Sequence, residues 1–189
     1  AVPAVIRYGY GFIQGADYAA KEKGMAPGSI DMKYTYVGNF EASPENMAKA
    51  ASWYNEGTEV IFSCGGPVGN SVMKAAENAG KKVIRVDVDQ SAESETVMTS
   101  AMKNLSKAVY DYLTDFYNGE FKGGESITLD ASEDGVQLPM ETSRFTVFTQ
   151  EQYDAIYEKI ADNEITILKD EGIVDASEIE AEYVNVKLI

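Results

Sequence analysis

The chain has 189 residues, 44% of them hydrophobic, with 31 Asp and Glu against 16 Lys and Arg, a formal charge of -15 and no histidine. That length and apolar content fill one ordinary domain or two small lobes. The acidic field repels nucleic-acid phosphates and anionic headgroups, and the lack of histidine excludes Ser-His-Asp and Cys-His hydrolases along with imidazole metal ligands.

The N-terminal stretch IRYGYGFIQGADYAAKEKG places Phe12, Ala16, Ala19 and Ala20 at helical spacing, with Gly24 as a stop. A βα domain normally opens on a strand, so a chain that opens almost directly on a helix is expected to be cut from a larger protein. DMKYTYVG, from Asp31 to Gly38, is β-like; Ser43-Pro44 starts a helix that runs through Tyr54, and Gly57 ends it. Thr58 to Cys64 predicts a strand, Asn70 to Ala79 a helix, and Lys82 to Val88 a further strand. Three strands joined by helices at this spacing predict one parallel sheet with right-handed crossovers. Cys64, the single cysteine, leaves no intrachain disulfide and reads as a small core side chain.

Beyond Asp89, Thr96 to Met102 is extended, Leu105 to Tyr117 is a helix with Val109, Leu113 and Phe116 on one side, and Ile127 to Leu129 is a short strand. Ser132 to Met140 reads as a loop. Thr149 and Gln152 form a capping box ahead of a helix built on Tyr153, Ile156, Tyr157 and Ile160, and the tail from Ile165 to Ile189 adds strands. There is no internal repeat, and no run of 18 or more apolar residues that would cross a membrane as a helix.

The turn in EVIFSCGGPVGNSVMKAA does not complete a phosphate-binding loop. A Walker loop needs Lys and Ser/Thr after its last glycine, whereas Asn70 and Ser71 follow Gly69; the dinucleotide fingerprint finds only its last two glycines in register, although Asp87 ends the next strand. What remains is geometric. Loops at the carboxyl ends of neighbouring parallel strands face one crevice, which would gather Asn39, Phe40, Gly65, Gly66, Asp87 and Asp89. An aromatic ring, glycine N–H groups and a carboxylate suit a nucleoside or sugar, and two carboxylates at the mouth would repel a free anion. Plain structural readings stand beside this one: Phe40 as a core residue at a strand end, Gly-Gly-Pro as a tight turn, Asp87 and Asp89 as solvated turn residues, Lys103 as a surface lysine.

Taken in order, RYGYGFIQGADYAA, YVGNFEASPENMAKA, TEVIFSCGGPVGNSVMKAAENAGKKVIRVDVDQS and VMTSAMKNLSKAVYDYLTDFYNGEF resemble the basic membrane protein family of bacterial solute-binding lipoproteins, which includes purine nucleoside receptors of ABC importers. The resemblance implies a two-lobed α/β fold of the periplasmic-binding type I class. Ala1 to about residue 96 would form the main part of the second lobe, about 97–130 would belong to the first lobe with crossovers, and 131–189 would return to the second. It further implies that Phe40 of VGNF stacks on a base, the Gly66 backbone contacts ribose, Asp87 of VDVDQ accepts from ribose hydroxyls, and Lys103 of SAMKN lies near the sugar. Asn39, Gly65 and Asp89 complete the candidate set on geometry. The lipoprotein signal, anchoring cysteine and most of the first lobe, with its partner ring, would lie upstream of Ala1. Departures stand at Ala1, where many relatives carry Asp, and at Cys64 and Pro67, where they carry small residues.

The sequence therefore predicts a non-enzymatic, extracytoplasmic, lipid-anchored receptor that hands a nucleoside to an ABC permease, with no cofactor, no metal and no nucleic acid. The alternatives are a Rossmann-type nucleotide-binding enzyme domain and a ligand-sensing domain of a regulator with the same fold.

Overall fold

The structure, a computed structural model, describes residues 2–169, 172–173 and 175–189. The departure read at Ala1 and part of the tail therefore lie outside the described residues. Among the described residues five α-helices and six strands follow in the order α1 (Pro3–Glu22), β1 (Ile30–Tyr34), α2 (Pro44–Asn55), β2 (Val60–Phe62), α3 (Val68–Ala79), β3 (Lys82–Asp87), β4 (Val97–Lys103), α4 (Leu105–Asn118), β5 (Val136–Gln137), α5 (Gln150–Ala161) and β6 (Val184–Leu188), so that strand and helix alternate except where β4 follows β3.

The strands form two sheets, where the sequence predicted one. β2, β3 and β4 run parallel, with β5 added antiparallel at the β4 edge, while β1 pairs only with β6, in parallel. The spacing of strand and helix signals is the same whether consecutive strands are neighbours or stand one strand apart, so local pattern could not separate the two arrangements.

Each sheet has its own core. In one, Ala50 and Tyr54 of α2 and Ala75 and Ala76 of α3 close on Ile61, Val83 and Val97. In the other, Ile6, Tyr10 and Ile13 of α1 meet Ala176 and Ile179, with Met32, Tyr34 and Val186 packed alongside. Asp17 fastens α1 to β6, its Oδ1 accepting from the backbone N–H groups of Tyr183 at 2.6 Å and Val184 at 3.2 Å. The face that α1 buries is Ile6, Gly9, Tyr10, Ile13 and Ala20; of the predicted Phe12, Ala16, Ala19 and Ala20, Ala20 alone is buried. Phe12 and Ala16 instead line a cleft between the two sheets.

Caps decide the helix ends. Ser43 Oγ accepts from Asn46 N at 3.2 Å at the head of α2, and α3 closes on left-handed Gly80. The Thr149–Gln152 box is reciprocal, at 3.3 and 3.0 Å, and satisfies two N–H groups that the helix itself leaves unpaired. Ile127–Leu129 is not a strand. Gly135 N–H donates to Asp130 O at 2.7 Å, closing a turn that delivers Val136–Gln137 to the β4 edge in its place. The predicted extended stretch at 96–102 is β4, and its pairing with β3 from Val97 to Met102 keeps it in the main sheet. The segment that stands clear of that sheet is 104–130, whose helix α4 buries no residue.

Among the described residues no helix is long and apolar enough to cross a membrane.

Candidate functional site

The loops after β1, β2 and β3 meet at one end of the molecule. Phe40, on the loop after β1, is 48% exposed, and its backbone oxygen accepts from Val68 N at 3.0 Å at the first turn of α3. That bond seats the ring against the glycine turn. A Cβ on Gly65 would stand 3.7 Å from Phe40 Cδ1 and 3.0 Å from Val68 Cγ1, and Gly65 and Gly66 hold φ values of 152° and 57°. Only glycine adopts both conformations without strain, so the turn keeps its backbone bare beside an exposed ring. Gly66 is exposed, with nothing within 4 Å of where a Cβ would stand, whereas Gly65 is buried.

Asp87 ends β3 with φ at 73°, an uncommon conformation for a residue with a side chain and one that concentrates at functional sites. Its Oδ1 receives Lys103 Nζ at 2.8 Å from the end of β4 and the Tyr8 hydroxyl at 3.2 Å from α1; Oδ2 takes part in neither contact. Lys103 Nζ also lies 5.4 Å from the centroid of the Tyr8 ring, a cation–π distance. Burial first, and the Asp87 charge second, push the Tyr8 phenol above its ordinary range, so it stays a proton donor at physiological pH. The same two causes raise the Cys64 thiol, which is therefore no thiolate nucleophile. The carboxylate and ammonium are each roughly two-fifths exposed, and their charges cancel locally.

The structure thus brings Phe40, Gly65 and Gly66 together, and gathers Asp87, Lys103 and Tyr8 into a second group. Asn39 and Asp89 have other work. Asn39 Oδ1 accepts from Glu41 N at 3.0 Å and closes its own loop. Asp89 accepts from Ser91 N at 2.9 Å, Ser91 Oγ at 3.1 Å and Thr142 Oγ1 at 2.7 Å, so its carboxylate ties the loop after β3 to the segment after β5. Partial burial pushes its pKa up, but the bonds from Thr142 and Ser91 and the nearby Arg144 charge outweigh this and hold it below the usual carboxylate range. Tyr8 was missed from the sequence. It is 79 positions from Asp87, and only the packing of α1 against β2, with Tyr8 and Phe62 rings 6.0 Å apart, brings it there.

Behind the glycine turn, Arg85 is 3% exposed, and its guanidinium donates to Gln90 Oε1 at 2.7 Å and Asn70 Oδ1 at 2.9 Å. A Cβ on Gly69 would fall 1.2 Å from Arg85 Nη1, so this third glycine of CGGPVG makes room for a buried cation. Its role is to hold the turn, not to approach a ligand.

Comparison with known proteins identifies the family. A family profile described as ABC transporter substrate-binding protein PnrA-like matches residues 1–178, and the chain belongs to this Bmp family. Among curated relatives, it is 26% identical to the ABC transporter nucleoside-binding protein BmpA of Lactococcus lactis subsp. cremoris, over 86% of this chain and 49% of that protein. It is 31% identical to Basic membrane protein D of Borreliella burgdorferi, over 79% of this chain and 42% of that protein. The chain thus spans about half the length of the curated relatives it matches. Among solved structures, an ABC transporter solute-binding protein from Aeropyrum pernix superposes with a TM-score of 0.71 at 20% identity, covering 93% of this chain and 56% of that one. A transcriptional activator of the comK gene from Bacillus halodurans gives 0.57 at 20% identity over 71% of this chain and 46% of its own. At those identities both describe the fold alone.

Proposed function

We propose that this chain is the second-lobe part of a two-lobed receptor that captures a purine nucleoside outside the cytoplasm and delivers it to an ABC permease, with a lipid anchor carried elsewhere in the full-length protein. The observation that carries the reading is the exposed Phe40 ring standing on a bare glycine turn, at the strand ends that also carry a partly neutralised carboxylate. Phe40 stacks on the base, and a ring–base stack contributes on the order of 1–3 kcal/mol. Gly65 and Gly66 allow close backbone approach to the sugar. Asp87 accepts from ribose hydroxyls at Oδ2 while Lys103 and Tyr8 hold Oδ1, and the Lys103 charge keeps the site suited to a neutral solute rather than an anion.

In this reading α4 and the loop that follows, 104–130, belong with the other lobe, which accounts for the exposure of Val109, Tyr110, Leu113 and Phe116. Contacts from both lobes favour the closed state, so one wall alone binds poorly. The receptor does no chemistry on its ligand.

Isothermal titration of the full-length protein with inosine, adenosine, guanosine and cytidine tests this. Heat with a purine nucleoside that falls about 100-fold in affinity in Phe40→Ala and by at least about tenfold in Asp87→Asn supports it. Absence of heat with every nucleoside, or saturable binding of NAD instead, overturns it.

A further inference from the structure

Arg85, on β3, is a buried cation that the candidate site itself does not use. Its guanidinium lies against the first turn of α3, where Gly69 leaves room for it. The position is unfavourable for a charge. Unpaired N–H groups give a helix N-terminus a partial positive charge, and a guanidinium taken out of water among neutral acceptors adds a desolvation penalty. Gln90 Oε1, Asn70 Oδ1 and Ser63 Oγ, which accept from it, are all neutral, and the Glu93 and Asp87 carboxylates support the charge through space. An apolar side chain of similar volume fills such a space at no greater cost in stability. Packing by itself therefore does not call for arginine here.

What arginine brings is a planar fork with five N–H donors in fixed directions. Nη2 donates to Asn70 Oδ1 at 2.9 Å and Nη1 to Ser63 Oγ at 3.4 Å, the two residues that flank the Gly65–Gly66 turn. Nε donates to Gln90 Oε1 at 2.7 Å, on the loop after β3. From Asn70 the connection runs to Phe40, because Val68 in the same helical turn donates its N–H to Phe40 O at 3.0 Å. From Gln90 it runs to Asp87. Gln90 Nε2 donates at 2.8 Å to Val86 O, the carbonyl that also accepts from Val88 N at 2.9 Å. With φ at 73°, the Val88–Val86 bond makes a γ-turn centred on Asp87, a strained conformation that persists where its surroundings hold it. Gln90 is anchored in turn, its own N–H donating at 3.1 Å to Oγ of the fully buried Ser100 on β4.

We infer that Arg85 is a positioning residue that holds the Phe40 ring and the Asp87 carboxylate in fixed relation, through Asn70 and Ser63 on one side and Gln90 on the other. Its value for a ligand rests on the receptor reading: a ring and a carboxylate that grip the base and ribose of one molecule bind better at a fixed spacing, since less ordering is left for the binding step. Arg85→Lys separates charge from geometry. An ammonium on a flexible stem keeps the charge and loses the fork.

Hydrogen exchange of the full-length protein without ligand tests the connection, read at Val68 N–H, which seats Phe40, and at Gln90 N–H, three residues past Asp87. Gln90→Ala is expected to speed exchange at Val68 about tenfold, and Asn70→Ala to speed it at Gln90 by a similar factor. In an Arg85→Lys background both amides are expected to be fast already, with neither second substitution adding to the far one. Thr149→Ala weakens α5, away from the network, and is expected to change neither amide. Effects confined to each substitution's own loop, unchanged amides in Arg85→Lys, or equal acceleration in Thr149→Ala would overturn the assignment. The two single substitutions decide it even where Arg85→Lys fails to fold. Titration with inosine, adenosine and guanosine adds a ligand arm: Arg85→Lys is expected to weaken purine nucleoside binding about tenfold and Thr149→Ala to leave it unchanged, whereas equal affinity in Arg85→Lys counts against positioning. Absence of heat with the unsubstituted protein counts against the receptor reading instead, and the exchange results then decide the role of Arg85.

Discussion

Helices α3 and α4 look alike in sequence and differ entirely in fate. Each carries an apolar stripe at helical spacing, and each ends on a left-handed glycine, Gly80 and Gly119. Yet α3 buries Val68, Gly69, Ser71, Ala75 and Ala76, whereas α4 buries nothing and leaves Val109, Tyr110, Leu113, Phe116 and Tyr117 in solvent. The stripes differ in kind as well: small residues in α3 let it lie close to α2 and the sheet, while the large ones in α4 stand exposed. Periodicity reports that a helix has an apolar face, and residue size hints at how closely that face is approached, but neither names the neighbour.

Substitutions can break the comparison. The largest effect is expected at the head of α3. Gly69→Ala must displace the buried Arg85 guanidinium from Asn70 and Gln90, costing on the order of 3–5 kcal/mol by urea unfolding, as removing the partners of a buried charge does. Next comes the core beneath α3, where Val83→Ala is expected to lose about 2–3 kcal/mol by lost burial and the cavity left behind. The matching truncation on α4, Leu113→Ala, is expected to change the stability of this chain by under about 0.5 kcal/mol; a loss comparable to Val83→Ala would mean that the α4 face is covered. Thr149→Ala removes one side of the α5 capping box and is expected to cost about 1 kcal/mol.

The smallest effect concerns pH. Asp89 has a depressed folded-state pKa, so its contribution to stability is fully present above the unfolded carboxylate value of about 3.9 and fades as pH falls through the lower folded value. Asp89→Asn is expected to flatten the stability profile below about pH 4. An unchanged acid limb would show that the Thr142 and Ser91 bonds contribute nothing.

Much of the fold was legible because local signals agree with the final structure. Ser43-Pro44, the Thr149–Gln152 box and Gly80 mark ends through bonds made within a few residues, and these were read within a residue or two. Where a partner is distant the reading failed. Ile127–Leu129 has β-forming residues but no strand edge to meet, while Val136–Gln137, inside a predicted loop, finds β4. At the site, Phe40, Gly65, Gly66 and Asp87 sit at strand ends that periodicity already located. Lys103 came from family resemblance. Tyr8 lay on a helix face with nothing local to mark it. Asn39 and Asp89 lie on the same set of loops, where Asn39 Oδ1 accepts from Glu41 N and the Asp89 carboxylate accepts from Ser91 and Thr142, bonds that no local pattern announces.

The amino-acid order by itself settled the α/β alternation, the helix caps and the glycine turn, since each depends on hydrogen bonds and backbone conformations spanning only a few residues. Which strands pair was decided by the tertiary structure: β1 joins β6 from the far end of the chain while β2 joins β3, because an edge is satisfied by whichever strand packing brings to it, at any sequence distance.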